Sequence, residues 1–178
     1  MNYAEIKPVD IANGPGVRVS LFVSGCTHRC KGCFNEVTWD FNYGKSFTEE
    51  TIKEIMGLMR PSYIKGITIL GGEPFEKENQ RAVLSLLAHI RTDEELCNKS
   101  IWIFSGYTIE QLDQNKPGGN IEDIKSILSY VDVLVDGPFI ESKKNLSLRF
   151  RGSENQRIID MKRSIYYMKT VLWEDHSA

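Results

Sequence analysis

An α/β domain with a parallel sheet is the fold class this sequence predicts. Three observations lead there: short apolar runs alternate with helix-period segments, the runs are rich in β-branched and aromatic residues, and each ends on glycine. Strands that alternate with helices need crossover connections, which favour parallel neighbours in right-handed βαβ units. The runs are residues 17–23 (VRVSLFV), 67–70 (ITIL), 101–104 (IWIF) and 131–135 (VDVLV). Between the first two, Ile52, Ile55, Met56 and Met59 recur at helical spacing, and Thr48 is placed to cap that helix with Phe47 and Ile52 as a staple. Val83, Leu86, Leu87 and Ile90 repeat the pattern before the third run, and Ile121, Ile124 and Leu128 mark a helix after the glycine loop at 115–120.

The strands run into Ser24-Gly25, Gly71-Gly72, Ser105-Gly106 and Asp136-Gly137. Carboxyl ends of parallel strands form the functional face of such folds, and glycine there lets backbone approach a ligand closely. One site built from all four ends is expected. For any one end taken singly, an ordinary turn glycine is the alternative.

The 178 residues carry 22 Lys plus Arg against 24 Asp plus Glu, a net charge of -2, with 41% hydrophobic residues. That is the profile of one soluble globular domain spanning 1–178. A complete (β/α)₈ barrel takes roughly 250 residues, so a barrel here would be partial. The charge balance supplies no general field for a nucleic-acid backbone. MNYAEIKPVD has neither the basic nor the apolar region of a leader, and no run approaches the roughly 18 apolar residues of a membrane span. A cytoplasmic location is expected.

The charge is nonetheless segregated. Residues 141–169 hold eight basic residues against three acidic, +5, which leaves -7 for the rest. A solvated face and a docking surface for a partner are the two readings of this segment; the second would use Arg149 and Arg157, with Arg151 reserved for the site itself. Trp39, Phe41 and Tyr43 alternate with polar residues, a period-2 pattern that suits a half-buried strand or an aromatic platform.

Cys26, Cys30 and Cys33 stand within one short loop at 24–35, spaced CxxxCxxC, while Cys97 lies far along the chain. In a reducing compartment such a cluster points to metal or redox chemistry rather than disulfides. Ordinary iron-sulfur clusters take four cysteines. A loop with three leaves a metal position open, and open positions are where substrates or cofactors bind. The alternative is a structural Cys₃His zinc site using His28. Cys97 follows a helix, away from the strand ends, and reads as incidental.

CxxxCxxC after the first strand, together with Gly71-Gly72-Glu73-Pro74 after the second, resembles the radical S-adenosylmethionine superfamily. The segments Asn13-Gly14-Pro15-Gly16-Val17-Arg18, Gly32-Cys33-Phe34-Asn35, Ser105-Gly106-Tyr107-Thr108, Val135-Asp136-Gly137 and 151–157 (RGSENQR) narrow the likeness to the branch that activates glycyl-radical enzymes. The aromatic falls after the third cysteine, as Phe34, with Gly32 before it; that suits this branch.

The resemblance covers about residues 1–160. It implies a single-domain partial (β/α) barrel of parallel strands and a [4Fe-4S] cluster on Cys26, Cys30 and Cys33. It also implies S-adenosyl-L-methionine bound at Gly32, Cys33, Phe34, Gly71, Gly72 and Glu73, with Ser105 and Asp136 facing the same cavity. The implied reaction is reductive cleavage of that cofactor to a 5′-deoxyadenosyl radical, which takes a hydrogen atom from a glycine Cα. The implied partners are the large subunit of an anaerobic ribonucleoside-triphosphate reductase and an electron donor such as a flavodoxin or ferredoxin. A small radical enzyme acting on a small molecule, and a non-enzymatic iron-sulfur or zinc module, are the competing readings.

Overall fold

The computed structural model describes residues 1–175. In chain order the elements are β1 (Asn2–Asp10), β2 (Val17–Val23), β3 (Lys45–Ser46), α1 (Glu49–Met59), β4 (Ile64–Gly71), α2 (Gln80–Thr92), β5 (Ser100–Phe104), α3 (Ile109–Asp113), α4 (Ile121–Tyr130), β6 (Val133–Asp136), β7 (Arg157–Asp160) and α5 (Met161–Tyr167). Short 3₁₀ turns occupy Glu36–Trp39 and Glu141–Lys143.

The expected strands are β2, β4, β5 and β6, which pair parallel in that order. Three further strands extend the sheet: β1 pairs antiparallel with β2 and carries β3 on its other side, and β7 pairs antiparallel with β6. The result is one mixed seven-stranded sheet, β3-β1-β2-β4-β5-β6-β7. The α/β class and the parallel centre are as expected, but the sheet as a whole is mixed rather than made of parallel strands alone. A parallel crossover needs a dozen or more residues, usually a helix. Residues 11–16 are too few to provide one, and residues 137–156 contain only a single 3₁₀ turn, so both flanking strands return antiparallel.

Strand periodicity divides the sheet into two unlike faces. Val19, Leu21, Val23, Ile67, Ile69, Ile101 and Ile103 point to the helices, where they meet Ile52, Ile55 and Met59 of α1, Val83, Leu86, Leu87 and Ile90 of α2, and Ile124 and Ile127 of α4. Thr48 starts α1 as expected, its N–H donating to Thr51 Oγ1 at 3.2 Å, and Phe47 packs at the core margin.

The other face carries Arg18, Ser20, Thr68, Trp102, Val133 and Val135, all buried. It is covered by Phe150 and Trp173, whose ring centroids lie 5.6 and 5.1 Å from Trp102. Residues 171–173 run beside β7: Trp173 N–H donates to Ile158 O and Asp160 N–H to Val171 O, both at 2.9 Å. Arg18 is wholly buried, and among the described residues no carboxylate is in contact with it. It donates instead to Thr68 Oγ1 (2.8 Å), Ser100 Oγ (2.8 Å) and the carbonyls of Ile67 (2.7 Å) and Ser100 (3.0 Å), and burial pulls its guanidinium down to about 10. The amino-terminal end of this face is thereby filled. Its carboxyl-terminal end opens as a cavity.

No strand forms at Trp39, Phe41 and Tyr43. Residues 36–39 make a 3₁₀ turn, Phe41 lies against Gly25, and Tyr43 is exposed. No helix among the described residues is long and apolar enough to cross a membrane.

Candidate cluster and cofactor site

The cysteine loop leaves β2 and is tied down on both sides. Toward the 3₁₀ turn, Gly25 N–H donates to Thr38 O (2.7 Å) and Cys26 N–H to Trp39 O (3.3 Å). Toward the end of β4, Glu73 N–H donates to Gly25 O (2.8 Å), Gly72 N–H to Val23 O (2.7 Å), and the Asn79 amide to the carbonyls of Ser24 (2.9 Å) and Glu73 (3.0 Å). Within the loop Cys33 N–H donates to Cys30 O at 3.1 Å, and Cys33 Sγ accepts from Asn35 N–H at 3.4 Å. The double glycine serves this packing. A Cβ on Gly72 would stand 2.5 Å from Gly25 O and 3.0 Å from Thr38 O, so the close backbone approach that needs glycine here is between two chain segments.

Glu73 is the hub of the site. It is 1% exposed, and its carboxylate accepts from Phe75 N–H (3.0 Å), Ser105 Oγ (3.0 Å) and Gly106 N–H (2.7 Å) while meeting His28 Nε2 at 3.1 Å. The His28 ring lies 4.2 Å from that of Tyr107, centroid to centroid. Gly106 leaves room for that imidazole, since a Cβ there would fall 2.6 Å from two of its ring atoms. Burial pulls His28 down, but the Glu73 hydrogen bond and the charges of Glu73 and Glu76 outweigh it and hold the ring above its ordinary range. A second buried carboxylate, Glu76, grips the adjacent residue by accepting from Thr27 N–H (2.7 Å) and Thr27 Oγ1 (2.5 Å).

Burial, followed by the charge of Glu73, pushes the Cys26 thiol up to about 12, and burial raises Cys30 as well. A metal held by these thiols would have to displace their protons. All four cysteines are free. Cys97 sits just before the amino end of β5, at the far end of the sheet, with Sγ directed at Glu94 O.

A cavity of about 410 Å³ fills the carboxyl end of the sheet, a size suited to a small cofactor. Cys26, Cys30, Cys33, Gly32 and Phe34 form one wall; Gly71, Gly72 and Glu73 after β4, Ser105 and Gly106 after β5, and Gly137 after β6 form another. Phe34 is 82% exposed at the rim. Residues 144–156 close the third side, including Phe150, at a φ of +58°, and Arg151. Asp136 is not in the lining: its buried carboxylate accepts from Arg157 Nε (2.9 Å) and Nη2 (2.6 Å) and from Ile109 N–H (2.8 Å). Ser105 lines the cavity with its hydroxyl committed to Glu73.

Arg157 is accordingly a structural arginine, joined also to Glu110 (3.0 and 2.7 Å), and Arg149 pairs with Asp175. Both cations are thus ion-paired within the chain. Sequence reasoning also passed over His28 as a partner of Glu73, and over Thr27 and Glu76. Nothing local marks them, because these bonds span 45 and 49 residues.

Among the described residues no three Cys, His, Asp or Glu side chains converge tightly enough to hold one ion. A cubane cluster gives each thiolate its own iron and does not require such convergence. Three thiols on one wall of a ligand-sized cavity fit that group.

Residues 12–159 match the protein-family model described as a 4Fe-4S single cluster domain. The chain is 41% identical over 160 residues to the anaerobic ribonucleoside-triphosphate reductase-activating protein of Vibrio cholerae, covering 89% of this chain and 97% of the relative. It is 39% identical to the protein of that name from Enterobacteria phage T4, over 89% and 93% of the two chains, and 40% identical to that of Escherichia coli K12, over 88% and 96%. With a cluster-domain match over most of its length and relatives this similar along nearly their whole chains, this protein belongs to the family of anaerobic ribonucleoside-triphosphate reductase-activating proteins.

Proposed function

We propose that this chain activates an anaerobic ribonucleoside-triphosphate reductase, holding a [4Fe-4S] cluster on Cys26, Cys30 and Cys33 and S-adenosyl-L-methionine in the adjoining cavity. The observation that carries this reading is the cavity itself, in which one three-thiol loop faces the ends of β4, β5 and β6. Bound there, the two groups would supply reductive cleavage of the sulfonium, and the 5′-deoxyadenosyl radical so released would take a hydrogen atom from a glycine Cα of the reductase. The chain's own residues orient the reactants and keep water out. Gly71, Gly72 and Glu73 offer a strand edge to the methionyl end, and Gly32, Cys33 and Phe34 border the adenosyl side. Leu70, Phe104, Phe139, Leu148 and Phe150 give the cavity its apolar lining. Ser105 acts through Glu73, by fixing its carboxylate, and Asp136 acts at one remove, by anchoring the backbone at Ile109. An electron donor such as a flavodoxin or ferredoxin completes the system.

The test is anaerobic reconstitution with iron and sulfide, reduction in the presence of S-adenosyl-L-methionine, and detection of 5′-deoxyadenosine together with a glycyl-radical doublet on the reductase by electron paramagnetic resonance. Both products are expected. Ala at any one of Cys26, Cys30 or Cys33 should abolish them, while Cys97→Ala should not. A cluster-loaded protein that leaves the cofactor intact under reduction, or a Cys97→Ala protein that cannot hold iron, would refute the reading.

A further inference from the structure

Glu76 is 4% exposed, yet among the described residues no Lys or Arg lies within 4 Å of its carboxylate, and the same is true of Glu73. A buried carboxylate is normally paired with a cation, because removing it from water unpaired is costly. Here the donors are neutral groups of the cysteine loop: Glu76 Oε1 takes both the N–H and the hydroxyl of Thr27, the residue after Cys26. The backbone of Glu76 is anchored in turn, with its N–H donating to Glu73 O (3.2 Å) and its carbonyl accepting from Asn79 N–H (2.7 Å). The carboxylate of Glu76 is thus locked against the loop by short bonds; among the described residues no Lys or Arg is within 4 Å to cancel its charge, and the loop imidazole, His28, is bonded to Glu73 instead.

Negative charge beside an iron-sulfur cluster disfavours adding an electron, and net charge and hydrogen bonding are recognised determinants of cluster potential. We propose that Glu76 is a positioning residue for the cysteine loop whose charge, met by no Lys or Arg, also depresses the reduction potential of the cluster held there. The proposal rests on the reading that the three thiolates hold a redox cluster. Positioning comes from the two Thr27 bonds and depression from the charge, so the two can be separated by substitution. Glu76→Gln keeps an acceptor for Thr27 at nearly constant volume and removes the charge. Glu76→Asp keeps the charge and shortens the reach.

The experiment is a spectroscopic redox titration with dithionite of the full-length reconstituted protein and both variants, with hydrogen exchange at the Thr27 amide measured alongside. For Glu76→Gln the cluster should become about tenfold easier to reduce, which is 59 mV upward for a one-electron couple, with Thr27 still protected. Glu76→Asp should leave the potential unchanged while the Thr27 amide exchanges faster. A Glu76→Gln potential equal to that of the unmodified protein would overturn the proposal. So would a Glu76→Asp potential raised tenfold, since loop geometry would then govern it; that measurement stands even if Glu76→Gln does not fold. Failure of the unmodified protein to take up iron would instead overturn the cluster reading beneath the proposal as well, and is told apart by iron content before any titration.

Discussion

Replacing Arg157 with Met removes two of the three donors that serve the Asp136 carboxylate and leaves a group that is 1% exposed with the Ile109 N–H alone. Breaking a fully buried ion pair from one side costs about 3–5 kcal/mol, because the remaining charge stays desolvated. The Arg157 side chain is 34% exposed, so water relieves part of that, and its arm to Glu110 behaves as a surface pair adding about 0–1 kcal/mol. The expected loss is therefore about 2–4 kcal/mol, or a melting temperature lower by roughly 5–15 °C in a chain of this size. Urea unfolding of the iron-free protein measures it, with an unchanged slope showing that the exposed surface is the same. Adding Asp136→Asn should recover most of the loss, since no buried charge then remains. A loss below about 1 kcal/mol, or a double variant no better than the single, would refute the buried-pair argument.

Two further outcomes follow from the same geometry. Gly72→Ala places a Cβ 2.5 Å from Gly25 O, so it should push the cysteine loop aside, destabilise the iron-free fold by about 1–3 kcal/mol and lower iron uptake; normal loading would show that the loop has slack. Arg157 holds Glu110 down to about 2, so their bond is complete above the ordinary glutamate range near 4.5 and fades as pH falls toward 2. The stability gap between the unmodified protein and Glu110→Gln should accordingly narrow across that interval in acid urea titrations, and a constant gap would contradict it.

The parallel centre of the fold was legible in the sequence because β2, β4, β5 and β6 are near-continuous apolar runs and the helices between them carry unbroken helical periodicity. The flanking strands were not. β1 reads NYAEIKPVD and β7 reads RIID; one mixes charges with a proline, the other is a short piece inside a basic stretch, and each is specified by pairing with a neighbour rather than by its own pattern. The cysteine loop stood out through spacing. Its supports did not, since Thr27, His28, Glu73 and Glu76 join only after β2 and β4 pair and bring residues more than forty positions apart into contact. Charge counting could not show pairing for a similar reason: Arg157 contributes to a basic run in the sequence, but in space its partners are Glu110 and Asp136.

Trp173 bears on how the protein is made. Its ring and that of Trp102 enclose Phe150, a wall of the cavity, and residues 171–173 are laid against β7. Domains fold as units, and synthesis proceeds from the amino end. The cysteine loop is thus synthesised well before residues 171–173, which buttress the wall opposite it. Until residue 173 is in place the three thiols face an incomplete chamber.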